Sequence, residues 1–394
     1  MEKSIRPCPI CNGRKIKLIK HIRLVVPDDF ILPSKYEIVA CSHCGFVFND
    51  VPNSRSFDEY YANYKENTNF TIPSEAAYSL TKEKRESRHV ISANFIENTT
   101  EIDKTASILD IGCSFGATLS TLQKKGFTNL NALDLDSTSI HYLRQIGINS
   151  KVGSIFSENI PEFENKFDLI ILAHILEHLY EPQKAITNIK KWLKPNGKIF
   201  IECPDLYQYP DTSAFPGFFA EWEHINHFSI ISLMNLFCDF RLRRYDTGTI
   251  YALIEDFPCL YMIFEKDEKD RHICKTENDA IAMLESLLIP NEKGKKLLSN
   301  LENIKDKEIC LWGAGQYCYM LLSHTILSEK KIRFIVDKDT KKHGKRILGI
   351  KITSPEILRD FKGTIVICSS TAQEFIQNDI RMMGLTNEVL IPFN

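Results

Sequence analysis

From about Thr105 the hydrophobic pattern alternates between short continuous apolar runs and segments whose apolar residues recur every three or four positions. Ser107–Ile111 reads as a strand, and Ala117–Lys125 as a helix with Leu119 and Leu122 on one face. Leu130–Leu133 is the next strand, ending at Asp134, and Ser137 is placed as the N-cap of a helix running through Leu143. Asp168–Ala173 is apolar without a break, as a strand buried on both faces should be. Pro182–Leu193 reads as a helix with Ile186, Ile189 and Leu193 on one side; Lys194-Pro195-Asn196-Gly197 stops it, and Lys198–Cys203 follows as a strand. Strands alternating with helices predict a parallel sheet with a ligand crevice at the strands' C-terminal ends.

The pattern starts again further on. A charged stretch, Glu265–Arg271, reads as a solvated linker. Helices are expected over Asn278–Leu288 and Gly294–Ile304, then a strand entering Leu311-Trp312-Gly313-Ala314-Gly315-Gln316-Tyr317-Cys318, with Asp337 closing the next strand. At about 150 residues per domain, 394 residues make two or three domains. The boundaries expected are 1–70, 71–270 and 271–394, with no internal repeat.

Composition narrows the classes. With 49 Lys+Arg against 51 Asp+Glu the net charge is −2, which argues against nucleic-acid binding. No apolar run reaches the length of a membrane span, and the opening Met1–Cys8 lacks the apolar core of a signal peptide, so a cytoplasmic protein is expected. In a reducing compartment 12 Cys need another explanation than disulfides. Four form two close pairs, Cys8-Pro-Ile-Cys11 and Cys41-Ser-His-Cys44, the second Cys of each followed by a turn-forming residue. Two such turns converge four thiolates on one structural Zn²⁺ and leave no open position for catalysis. Unrelated pairs or a redox C-x-x-C leave the repeated doublet unexplained, and His21 and His43 are spare imidazoles nearby. The gap between Cys11 and Cys41 is longer than in a simple ribbon and leaves room for a small hairpin. The other eight Cys are scattered and read as small core residues.

The turn Asp110-Ile111-Gly112-Cys113-Ser114-Phe115-Gly116 carries candidate chemistry. Glycine allows close backbone approach to a ligand, and the helix that follows offers free N–H groups. Asp134 follows Gly112 at close to the separation expected in dinucleotide-type sites, placed to accept from ribose hydroxyls. The second glycine turn repeats that separation between Gly315 and Asp337, but has Cys318 at the third fingerprint position.

Asp110-x-Gly112-x-Ser114-x-Gly116, Leu133-Asp134, Phe167–His178 and Trp192–Gly197 together resemble the successive motifs of class I S-adenosylmethionine (SAM) methyltransferases over roughly residues 85–266. The resemblance implies SAM contacts from Asp110, Gly112, Ser114, Gly116, Asp134, Ser154 and Ala173. Ser114 stands where the family has its middle glycine, and Gly153-Ser154-Ile155 lacks the acid often found after the third strand. Together with the Cys pairs, Tyr60-Tyr61-Ala62-Asn63-Tyr64, Glu221–Ser229 and Ile309–Gly315 leading to Phe334–Asp337, the chain resembles the zinc-containing C-methyltransferases of nucleotide-linked deoxysugars. That narrower resemblance implies a zinc module, a SAM domain and a second Rossmann-like domain that helps hold a nucleotide-sugar.

It further implies Glu223 and His224 as the catalytic pair, with Tyr64 and His178 lining the same site and Tyr61 or Tyr78 as alternatives to Tyr64. Carbon methylation needs a base to remove a proton α to a ketone, and a histidine oriented by a carboxylate titrates in the right range. Glu-His-x-x-His-Phe-Ser also suits O-methylation, and Thr247-Gly248-Thr249-Ile250 only distantly echoes the glycine-rich strand motif of the sugar enzymes. The expectation is therefore an α/β enzyme C-methylating a nucleotide-sugar. A sugar O-methyltransferase and a non-catalytic SAM-fold binding protein are the alternatives.

Overall fold

The computed structural model describes residues 5–52, 57, 60–61, 88–157, 160–212, 215–251, 256–267, 272–305, 308–369 and 372–392. Its strands form three sheets. The first begins with β1 (Ile16–Arg23), β2 (Lys35–Cys41) and β3 (Val47–Asp50), all antiparallel. The β1–β2 hairpin occupies the gap between Cys11 and Cys41.

The second sheet is built from β4 (Ser107–Ile111), β5 (Asn129–Asp134), β6 (Asn149–Val152), β7 (Phe167–Ala173) and β8 (Leu193–Pro204), all parallel to their neighbours. A two-residue strand, β9 (Asn226–His227), leaves this unit and pairs with β3, carrying the first sheet against the second. The long antiparallel hairpin of β10 (Phe240–Tyr251) and β11 (Asp256–Lys266) completes the second sheet in the order β10-β11-β8-β7-β4-β5-β6. Strand order reverses at β4, which lies between β7 and β5, so the crevice for a ligand opens at the C-terminal ends of these three strands. Apolar side chains cover both faces of β4 and β7.

Helix α1 (88–99) precedes β4, α2 (Ala117–Lys124) links β4 to β5, α3 (Ser137–Gln145) links β5 to β6, and α4 (Pro182–Trp192) links β7 to β8. The cap of α3 differs from expectation by one residue. Asp136, not Ser137, is the N-cap, because its carboxylate accepts from the N–H of both Thr138 and Ser139.

After two helices, Asp279–Leu288 and Glu292–Glu302, the third sheet follows. It contains β12 (Ile309–Trp312), β13 (Ile332–Val336), β14 (Arg346–Ile347), β15 (Ile350–Thr353), β16 (Thr364–Ile367) and β17 (Val389–Leu390). All pairings in it are parallel except β14–β15. Two sequence expectations need correction. Glu265 and Lys266, read as linker, end β11, and Glu265 pairs there with Arg241 and Arg243. Of the eight scattered cysteines, Cys113, Cys203, Cys259, Cys310, Cys318 and Cys368 are buried, but Cys238 is only partly so and Cys274 is exposed.

One apolar core is shared by the first and third sheets. It joins Ile38 and Val47 of the first to Leu311 and Val366 of the third through Phe215, Phe219 and Trp222. Phe219 stacks on Tyr209 at 3.9 Å, and Trp222 meets Phe30 and Tyr319 from opposite ends of the chain. The segment that carries the expected catalytic pair is thus wedged between elements far apart in sequence. No helix among the described residues is long and apolar enough to cross a membrane.

Candidate active site

The turn after β4 sets the first wall. Gly112, Ser114 and Gly116 all adopt left-handed backbone conformations, with φ of 68°, 48° and 66°. Glycine at 112 is favoured by its φ, and a Cβ there would require the tip of the Ile175 side chain to swing away. Ser114 takes the same conformation despite its side chain, and Asp134 holds it: Oδ2 accepts from the Ser114 N–H at 2.8 Å while Oδ1 accepts from the Asp136 N–H at 2.8 Å. Asp134 is therefore first a lock on the turn.

A cavity of about 690 Å³ opens beside it, within the range of small-molecule sites. Gly112, Ser114, Asp134, Ser154 and Ala173 line it; Asp110 and Gly116 stand behind the wall. Asp110 is buried, and burial, followed by the charges of Asp134 and Glu202, raises its carboxyl to about 8.

The cavity continues past β7, where the chain turns through His174 at φ 55° into the short turn Leu176–His178. Arg88, from α1, reaches this wall and pairs with buried Glu202 at 3.2 Å. Glu202 also accepts from Ser92 and contacts His174 Nε2 at 3.1 Å. Burial opposes its ionisation, but the Arg88 charge and the His174 bond outweigh that and hold its carboxyl at about 2.

At the far side three acids and two imidazoles gather. His178 and Glu223 line the cavity, and His224 lies behind His178 with ring centroids 4.9 Å apart. His178 Nδ1 is 3.0 Å from the Glu223 carbonyl and 2.9 Å from the Tyr61 hydroxyl. A carbonyl only accepts, so that contact puts the proton on Nδ1 and leaves the Nε2 lone pair available. The Glu223 carboxylate accepts from Tyr60 at 2.6 Å. It does not orient His224: the carboxylate oxygen 3.0 Å from His224 Nδ1 is Glu221 Oε1, three residues back.

Electrostatics then separate the groups. Burial pushes Glu221 and Glu223 up to about 7, their neighbouring carboxylates adding to it. Burial also lowers His224 to about 4 and lowers His178. Glu177, buried beneath, is brought to about 2 because the contact with His174 and the surrounding histidines outweigh its desolvation. At neutral pH the imidazoles are neutral, and Glu221 and Glu223 are the groups poised to exchange a proton.

The structure brings His178, Glu223 and His224 together; Tyr64 and Tyr78 lie outside the described residues. Reading from sequence missed Glu177 and Glu221, whose signal is their spacing by three to histidine in His174-Ile-Leu-Glu177 and Glu221-Trp-Glu-His224. It also missed Arg88, which no motif announces.

The cysteine pairs form a separate centre. Cys8 and Cys44 sulfurs are 3.6 Å apart, Cys11 and Cys41 sulfurs 3.5 Å, and all four lie within 4.8 Å of one another. Four thiolates about 2.3 Å from one Zn²⁺ stand roughly 3.8 Å apart, so the set fits that ion. The two turns match: the Asn12 N–H bonds Cys8 O and the Gly45 N–H bonds Cys41 O, with Asn12 and Gly45 both left-handed. Gly13 makes room, since a Cβ there would press on the sulfurs of Cys11 and Cys41 at 3.3 Å.

Comparison with known proteins agrees with the central geometry. Residues 82–242 match a family model described as a methyltransferase domain. That match spans the central sheet from α1 to the start of β10. Residues 305–391 match a second model, described as C2185-like, N-terminal. A ubiquinone biosynthesis O-methyltransferase from Rickettsia conorii is 32% identical over 138 residues, 32% of this chain and 46% of that protein. Another from Coxiella burnetii is 30% identical over 104 residues, 25% of this chain and 43% of that protein. The chain thus spans less than half the length of these curated relatives. Among solved structures, a SAM-dependent methyltransferase from Methanosarcina mazei is 18% identical, covers 44% of this chain and 98% of its own, and superposes with a TM-score of 0.36. One from Mesorhizobium loti gives 15%, 44%, 98% and 0.36.

Proposed function

We propose that this protein transfers the methyl group of SAM to a carbon next to the keto group of a nucleotide-linked sugar. The observation that carries the reading is one cavity bordered both by the glycine turn with Asp134 and by His178 with Glu223. Gly112, Ser114, Asp134, Ser154 and Ala173 would hold SAM against the sheet, with Asp110 and Gly116 supporting the turn from behind, and Arg88 is the cation nearest to meet a carboxylate there. Bound SAM supplies an electrophilic methyl group on its sulfonium.

The chain's own task is to place the acceptor in line and to remove its proton. Glu223 borders the cavity and is poised near neutrality, which suits a base that must be ionised part of the time and receive a proton the rest. Its Tyr60 bond keeps the carboxylate aimed. The Tyr61 hydroxyl, beside His178, is the group able to donate to the oxygen on which charge develops, while His178, with Nδ1 tied to the Glu223 carbonyl, presents an Nε2 lone pair that can take up a proton. His224 completes the site from behind, and Tyr64 belongs to the same tyrosine-rich segment. The zinc, held by Cys8, Cys11, Cys41 and Cys44, staples the first sheet and takes no part in the chemistry; the C-terminal unit, a second Rossmann-like fold, contributes to holding the nucleotide.

The second reading is O-methylation, favoured by the O-methyltransferase names of the curated relatives. In it the same groups deprotonate a hydroxyl. Calorimetry with S-adenosylhomocysteine tests the SAM site: binding is expected, and absence of heat at millimolar ligand overturns the reading. Keto-sugars incubated with enzyme in heavy water then separate the two chemistries, since deuterium enters beside the carbonyl only if a carbon acid is formed. Metal analysis is expected to give one zinc per chain, lost in Cys44→Ser.

A further inference from the structure

We infer that Glu221, held by Gln316 from the third sheet, is the positioning carboxylate of His224. The inference rests on the reading above for its functional meaning, because it assumes that this cluster handles a proton. Its geometry stands apart from that reading.

Two carboxylates flank His224 in sequence, and the fold sends them different ways. Glu223 turns towards the cavity and is engaged by Tyr60. Glu221 turns inward, where Oε1 lies 3.0 Å from His224 Nδ1. That nitrogen is fully buried and makes no well-aligned hydrogen bond, so the Glu221 oxygen is close to it in distance without yet being aligned on it. A buried imidazole nitrogen needs a partner, and a carboxylate three residues back in a tight turn is the group within reach.

The other carboxylate oxygen of Glu221 accepts from the Gln316 side chain, which comes from the turn after β12. The backbone between is fixed from the opposite side. Asn49 on β3 donates to the carbonyls of Glu221 (3.4 Å) and His224 (3.1 Å), and Tyr36 on β2 donates to that of Ala220 at 2.9 Å. The first sheet therefore holds the backbone and the third sheet holds the carboxylate. His224 in turn packs on His178, which borders the cavity. A path of contacts runs from Gln316 through Glu221 and His224 to His178. On this assignment the turn Gly313–Gln316 acts as a prop for the site of the neighbouring sheet.

The facing titratable groups are Glu177, His174 and His178 from the segment after β7, and Glu221 and Glu223 from its own loop. With Glu221 as partner, the neutral His224 ring carries its proton on Nδ1. The test is long-range ¹H–¹⁵N spectroscopy of the full chain labelled at histidine, with His224 assigned through His224→Gln. The unmodified protein is expected to show the Nδ1–H tautomer above about pH 8, where Glu221 is ionised and the ring is neutral. Glu221→Ala should shift it towards Nε2–H, Glu221→Asp should restore it in part, and Glu223→Gln should leave it in place. Gln316→Ala, a surface change that keeps the fold if Glu221→Ala does not, should move the same signals by a smaller amount. A His224 spectrum untouched by Glu221→Ala and by Gln316→Ala, or one that responds to Glu223→Gln instead, overturns the assignment. S-adenosylhomocysteine calorimetry on the unmodified chain is read alongside. Failure to bind there strikes the methyltransferase reading and leaves the tautomer result standing.

Discussion

The chain contains the same local device twice and uses it for two purposes. After β4 the turn amide of Ser114 bonds Asp134 Oδ2, and Asp134 Oδ1 takes the amide two residues on, Asp136. After β12 the amide of Ala314 bonds Asp337 Oδ2 at 2.8 Å, and Asp337 Oδ1 takes that of Asp339 at 2.9 Å. In both, an acid at the end of the second strand pins the turn leaving the first. The surroundings differ. The first turn has left-handed Gly112, Ser114 and Gly116 and borders the cavity; the second has only Gly313 left-handed, a buried Ala314, and an extended Gly315 with φ of −127°. Asp337 is further paired with Lys342 at 2.8 Å, and Gln316 is turned towards Glu221. The lesson is that a glycine turn followed by an acid at the end of the next strand reports a turn lock, and only the space beside the turn reports a ligand.

Substitutions in matched positions should pull the two apart. Gly112→Ala puts a Cβ at a left-handed φ and displaces the Ile175 side chain, and affinity for S-adenosylhomocysteine by calorimetry should fall by about 10-fold, within the roughly 1–3 kcal/mol that such strain costs. Asp337→Asn should leave that affinity unchanged. It removes a charged acceptor from two amides and a lysine, so unfolding in urea should show a loss of about 1–3 kcal/mol. A drop in affinity with Asp337→Asn would mean that the second turn shares in ligand binding.

The two turns also differ two residues upstream, where buried Asp110 stands before Gly112 and apolar Leu311 before Gly313. Asp110 has an ordinary pKa of 3.8 and is raised to about 8 by burial. The folded state therefore holds a proton that the unfolded chain has released, and stability falls as pH rises between those values, by at most about 1.4 kcal/mol per unit. Asp110→Asn should flatten the decline between pH 6 and 8 in melting curves, and an unchanged slope would show that the carboxyl is not the group responsible.

Much of this was legible beforehand, and the limits follow from range. The runs at Ser107–Ile111 and Asp168–Ala173 pointed to buried strands because burial on both faces of a strand leaves few exposed positions, and in the structure all of Ser107–Ile111 and Leu169–Leu172 are buried. The cysteine doublets announced their cluster because both halves of each turn are local. Contacts between distant segments left no such trace. Nothing near Gln316 points to Glu221, 95 residues away, nor does Arg88 signal Glu202, 114 residues away. Adjacency also misled: Glu223 neighbours His224 in sequence, yet the turn between them directs the two side chains apart, and spacing by three places Glu221 where spacing by one cannot.

The smallest expected effect is the most discriminating. Gly315 sits where a dinucleotide site would need bare backbone, yet its φ is one that any residue adopts and nothing lies within 4 Å of a Cβ built on it. Gly315→Ala should therefore change stability by less than about 0.5 kcal/mol, in the range of surface substitutions. It should leave the His224 tautomer and S-adenosylhomocysteine affinity as they were. If this turn cradled a diphosphate, the added methyl would intrude on the ligand. Titration of the unmodified chain and of Gly315→Ala with a nucleoside diphosphate then distinguishes the roles. Equal binding in both is what a prop predicts, binding in neither would remove the nucleotide-holding role proposed for the C-terminal unit, and binding lost only in the alanine variant would give the second turn the same use as the first.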